Sequence, residues 1–150
     1  MPTKGKVVVL VTCGTAGEAE QIARTLVEQR LAACVNLVET PVRSIYRWQG
    51  KIETASEYLL VIKTSREKLV GLRGQVERLH SYDVPEVIAL PIVDGSPQYL
   101  RWLEESLRRA GDASTPFKGR TKERRLSQRQ RDSMRPLDLL PSEMAKAEYA

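Results

Sequence analysis

The chain has 150 residues, 41% of them apolar, and 24 Lys/Arg against 19 Asp/Glu give it a net charge of +5. That length fits one domain, and the longest apolar runs, Val7–Val11 and Tyr58–Ile62, fall far short of the roughly 20 residues that span a bilayer. Two cysteines, Cys13 and Cys34, form neither a CxxC pair nor a disulfide framework, so membrane and disulfide-scaffold classes drop out and a reducing cytoplasm is the expected compartment.

Met1–Lys6 is basic, but the apolar run behind it is short and passes into a turn, which predicts a first strand rather than a signal peptide. Val7–Thr12 reads as a strand buried on both faces, ending in the small-residue turn Cys13–Gly17. A helix follows. Thr15 and Glu18 have capping-box spacing, and Ala19, Ile22, Ala23 and Leu26 form one apolar stripe. Cys34–Tyr46 and Ile52–Thr64 predict two strands joined at Arg47–Lys51. Each exceeds the usual length of about 5–6 residues, so their hairpin should project beyond a small sheet. Val35, Leu37, Tyr58, Leu60 and Ile62 alternate closely enough to bury one face, and Trp48 at the tip is too large for one small domain to cover. Unpaired edges of that length invite pairing with another chain.

Thr64 and Glu67 repeat the capping spacing, and Leu69, Leu72, Val76 and Leu79 mark the inner face of a second helix. Pro85 stops it, and Val87–Ile92 is apolar enough to predict a central strand. Ser96 and Pro97 supply an N-cap and an N1 proline for a third helix through about Arg109, with Leu100, Leu103 and Leu107 inward. The order β-α-β-β-α-β predicts an α+β, ferredoxin-like fold with an extra C-terminal helix and a long β2-β3 hairpin. This domain should occupy residues 1–110.

Residues 111–150 read as a basic, flexible extension. Phe117–Arg135 carries eight basic and two acidic side chains, a surplus larger than that of the whole chain. The main domain therefore has no electrostatic reason to attract nucleic acid, and the extension would bind phosphate backbones only without sequence preference. Within Pro136–Ala150, Leu137, Leu139, Leu140, Met144 and Ala147 could form a short helix on a partner surface.

Arg30-Leu31-Ala32-Ala33-Cys34-Val35-Asn36, Ser44-Ile45-Tyr46-Arg47-Trp48-Gln49-Gly50-Lys51-Ile52, Glu57-Tyr58 and Ile62-Lys63-Thr64 together resemble the CutA family, named for divalent-cation tolerance. Tyr82-Asp83-Val84-Pro85-Glu86 and Tyr99-Leu100-Arg101-Trp102-Leu103 agree, so the resemblance runs from about Val7 to Leu107. It implies a homotrimer whose hairpins extend sheets between subunits, copper binding, and an architecture similar to that of PII signal proteins. The family's proposed first-strand cysteine ligand corresponds here to Val11, and of two adjacent histidines found in some members the first corresponds to Leu79 and the second to His80.

Three residues are candidate metal ligands. Cys13 precedes a helix N-terminus, where the dipole can favour a thiolate; its alternative is a small turn residue. His80 is the only histidine, and Asp83 is near enough to orient it or share a metal. Cys34 reads as core. Tyr46, Trp48, Lys51, Glu57, Lys63, Tyr82 and Glu86 could line a cleft between subunits for a small anion or metabolite, or pack the trimer interface. Enzyme readings fail on inventory. One histidine has no elbow motif to support nucleophilic catalysis, the Walker pattern is absent, and the loop after the first strand lacks the arginine that acylphosphatases use there. The sequence thus predicts a non-enzymatic protein of divalent-cation response, or a PII-like small-ligand sensor.

Overall fold

In β1 (Lys6–Cys13), Val7, Val9, Val11 and Cys13 are at most 3% exposed, and every second side chain faces the core. These features belong to a computed structural model that describes residues 3–109. The extension at 111–150, with the helix considered for Pro136–Ala150, lies outside the described residues.

Beyond β1 come α1 (Ala16–Glu28), β2 (Cys34–Trp48), β3 (Lys51–Ser65), a 3-10 turn (Arg66–Lys68), α2 (Leu69–Leu79), β4 (Val87–Pro91) and α3 (Pro97–Ser106). The strands form one antiparallel sheet in the order β2-β3-β1-β4, the α+β, ferredoxin-like arrangement expected. The core joins Val9, Val11, Leu60 and Ile62 of the sheet to Ile22 and Leu26 of α1 and Leu72 and Val76 of α2. Each helix places its apolar residues three or four apart, so one stripe meets the sheet. A second cluster seats α3 through Leu103 and Leu107 against Ala33.

The hairpin is longer and tighter than its sequence signals. Only Gln49 and Gly50 lie outside the strands, with φ of +50° and +79°. Two left-handed residues give the turn a twist that matches the flanking strands, and Gly50 takes that conformation without a Cβ penalty. Pairing runs from Val38↔Leu59 to Val42↔Glu57, so Glu39, Thr40 and Pro41 oppose Tyr58 alone. Pro41 has no N–H to give a ladder, which makes a bulge its natural place. Because Tyr58 is the last β3 residue paired to β1, residues 51–57 and their β2 partners extend past the sheet's centre.

Three local expectations are corrected. Thr64 and Glu67 form no capping box, since Thr64 is on the buried face of β3 and its Oγ1 donates to the Leu31 carbonyl at 2.6 Å. Replacing Thr64 by Val should cost about 1–2 kcal/mol in urea unfolding, because the shape is kept and the carbonyl loses its donor. Cys34 is half-buried on edge strand β2 rather than core. The strand expected to be central, β4, pairs with β1 alone at the opposite edge. Its Ile88 and Leu90 are about half exposed (48% and 49%), so their apolarity does not mark a position between two strands.

Candidate functional site

Beyond the end of β1, the loop after α2 is pinned across the start of α1. The His80 amide donates to Val76 O at 2.8 Å, closing α2, and its side chain is 7% exposed. Nε2 lies 2.7 Å from the Thr12 carbonyl, while Nδ1 accepts the Tyr82 amide at 3.0 Å. A carbonyl can only accept and an amide N–H only donate, so the ring is the neutral Nε2–H tautomer. Glu18 accepts from the Ser81 amide at 2.6 Å and from its hydroxyl at 3.2 Å. Tyr82 stacks at 4.6 Å on His80 and donates its hydroxyl to buried Glu57 at 3.1 Å. Gly14 makes room for this phenol, whose oxygen would sit 3.1 Å from any Cβ there.

These contacts set the chemistry of the thiol. Burial first, then the charges of Glu18 and Glu57, push Cys13 up to about 12. Desolvation and two neighbouring carboxylates act against the thiolate that the helix dipole could favour. Tyr82 is also pushed up to about 12, by burial, by its hydrogen bond to Glu57, and by the charges of Glu57, Tyr46 and Glu18.

Of the candidate ligands, Cys13 and His80 come together, and the third member is Glu18 rather than Asp83; the ligand atoms of these three lie within 4.8 Å of one another. Glu18 is legible in the sequence only as a cap. Thr15 Oγ1 does accept the Glu18 amide at 3.2 Å, but the Glu18 carboxylate goes to Ser81, more than sixty residues away.

Asp83 instead lines a cleft of about 690 Å3 between that loop and the projecting hairpin. Tyr46, Trp48, Glu57, Tyr82 and Glu86 line this cleft within one chain, joined by the hydroxyl-bearing Thr12 and Ser44, which sequence reasoning missed. Two expected residues do not. Lys51 is at the hairpin turn, and Lys63 lies opposite Val8 and Cys34 with Nζ 3.4 Å from the Val61 carbonyl.

This scaffold matches a family model described as CutA1 divalent ion tolerance protein over residues 7–106. The chain belongs to the CutA1 family. A divalent-cation tolerance protein CutA of Thermus thermophilus is 48% identical over 99 residues, covering 66% of this chain and 95% of the relative. The chloroplastic protein CutA of Arabidopsis thaliana is 46% identical over 106 residues, 71% of this chain, and the chain spans only 58% of that longer relative. Among solved structures, CutA1 of Oryza sativa superposes with a TM-score of 0.68 at 44% identity over 72% of this chain and 98% of that one. A Thermus thermophilus structure gives 0.64 at 48% identity over 65% and 94%. CutA1 proteins are not known as enzymes.

The family points to a metal, and the Cys13–Glu18–His80 group is the place to test the fit. Thiol, carboxylate and imidazole are donors a borderline metal would accept. As folded they do not fit one. Both ring nitrogens are bonded to the backbone, and Glu18 is engaged by Ser81. Among the described residues no buried side-chain nitrogen or oxygen lacks a partner, so the group reads as a hydrogen-bonded knot that positions the loop.

Proposed function

We propose that this chain acts in divalent-cation response as a homotrimer without catalytic chemistry, and that it takes its cation in the cleft beside the hairpin. The observation that carries the reading is the lining itself. Glu57, Asp83 and Glu86 line it together with the hydroxyl-bearing Thr12, Ser44 and Tyr46, and among the described residues no Lys or Arg lines the space. All-oxygen donors suit hard divalent ions better than copper, and three carboxylates disfavour the small anion expected from sequence. Trp48, 49% exposed, together with Tyr46 and Tyr82 supports a second reading, a sensor for a small organic cation held against aromatic faces.

Support for the trimer comes from the sheet. It has two open edges, and exposed Ile45, Trp48 and Ile52 on the hairpin add to exposed Ile88 and Leu90 on β4. Both cysteines are free, which supports a cytoplasmic location; relatives named chloroplastic and periplasmic supply the alternatives for cell fractionation to test. No helix among the described residues is long and apolar enough to cross a membrane.

Titration of the full chain with Mn(II), followed by electron paramagnetic resonance, tests the cation reading. The double variant Asp83→Asn/Glu86→Gln should weaken binding at least tenfold, whereas Cys13→Ala should leave it unchanged. Equal binding in the carboxylate variant, or loss in Cys13→Ala alone, overturns the cleft. Competition by tetramethylammonium would favour the organic-cation sensor.

A further inference from the structure

A second concavity lies at the other end of the sheet, where β1 begins and β3 ends. It measures about 570 Å3 and is lined by Lys4, Lys6, Arg66, Lys68 and Arg108, with Glu67 and Glu104 as the acidic residues. From this geometry we infer an anion site that takes a phosphate group.

Five cations against two carboxylates make the concavity positive within a domain whose charge is otherwise close to balanced. A concave wall of one sign concentrates the opposite ion. Backbone bonds hold the cations in place before any ligand arrives. Gly5, at φ +72°, lets the chain turn so that the Arg66 amide donates to its carbonyl at 2.7 Å. The Lys6 amide donates to Thr3 O and the Lys6 carbonyl accepts from Ile92, both at 3.0 Å. The strand start carrying Lys4 and Lys6 is thereby fixed against the 3-10 turn carrying Arg66 and Lys68.

Lys6 is the informative member. Its side chain is 8% exposed, and burying an ammonium is costly unless it is well partnered. Yet its contacts are long: the Lys4 carbonyl at 3.3 Å and Glu104 at 3.8 Å. Glu104 itself is 54% exposed and free to swing aside. A phosphate oxygen would give Lys6 a short, charge-assisted bond, with Arg66 and Lys68 on the open side. Arg108 is bonded to Glu105 at 3.3 Å and adds charge at the rim. Binding forms and breaks no covalent bond in either molecule.

Calorimetry on the full chain with inorganic phosphate, pyrophosphate and magnesium-free ATP at 50 mM salt tests the site. Arg66→Ala/Lys68→Ala should weaken pyrophosphate binding at least tenfold with the unfolding midpoint unchanged. Glu104→Gln should tighten it about fourfold, the Coulomb effect of removing one charge some 5 Å away in a watery medium. A gain of affinity cannot arise from misfolding. Arg124→Gln/Arg125→Gln, in the basic extension, should change nothing. Pyrophosphate binding as tightly as ATP identifies the phosphates alone as the ligand, and a tenfold advantage for ATP identifies a nucleotide; both support the site. Three results overturn it: no binding of any probe at millimolar concentration, wild-type affinity in the double variant, or loss of affinity in the Arg124/Arg125 variant.

Discussion

Ile88→Lys combined with Leu90→Lys is expected to turn the assembly into monomers at micromolar concentration while keeping the far-ultraviolet circular dichroism of the folded chain. Both residues lie on β4, opposite Leu10 and Val8 of β1, on the face turned away from α1 and α2. A single chain leaves them half exposed, so lysine there costs the lone subunit little. In the proposed trimer the same two positions recur in every subunit. Fully burying one such side chain is worth roughly 1.5–3 kcal/mol, and an unpaired buried ammonium costs several more. The summed penalty over three subunits exceeds what a closed interface can absorb. Sedimentation equilibrium should report the 16.9 kDa mass of one chain for the variant and three times that for the wild type. A variant that keeps the larger mass would show that the β4 face is not the contact.

Cys13 should react with iodoacetamide at pH 8 more than a thousandfold more slowly in the native protein than after unfolding, measured in a Cys34→Ser background so that one thiol is followed. With its pKa pushed up to about 12 from the ordinary 9.0, about one Cys13 in ten thousand is thiolate at that pH, against roughly one free thiol in ten, and burial slows the reaction further. The side chain is also wholly buried. The same shift links the thiol to stability. Its folded pKa is above the ordinary 9.0, so its contribution is intact below about pH 9 and is lost as the pH climbs towards 12. Tyr82 acts in the same direction between its ordinary 10.0 and about 12. From the Cys13 shift, urea unfolding should show a fall on the order of a few kcal/mol between pH 8 and 11, to which Tyr82, 37% exposed and screened by solvent, adds little. Cys13→Ala should flatten that fall. Rapid native alkylation, or an alkaline loss unchanged in Cys13→Ala, would contradict the buried, protonated thiol.

Both expectations depend on long-range contacts, and that is where the sequence was least legible. Thr15 was readable as a cap because capping acts within one turn, and its bond to the Glu18 amide is present. Thr64 has the same spacing to Glu67, but its place on the inward face of β3 gives the hydroxyl a nearer buried carbonyl. Proximity along the chain offers Asp83 as the partner of His80. The fold instead brings Glu18 beside His80 and turns Asp83 into the cleft. Lys63 sits in the same block of residues as Glu57, yet the register places it opposite Val8 and Cys34.

The sequence by itself determined the element order, the presence of a projecting hairpin, the apolar stripes of the helices and the family, because these follow from periodicity and from motifs whose spacing is local. Only the tertiary structure decided that β4 is an edge, that the thiol is buried among carboxylates, that both nitrogens of His80 are occupied, and that the cleft is lined by oxygen atoms rather than lysines. Those properties depend on which distant side chains share a face and how much water reaches them. Neither distance nor hydration is encoded in any single stretch of the chain.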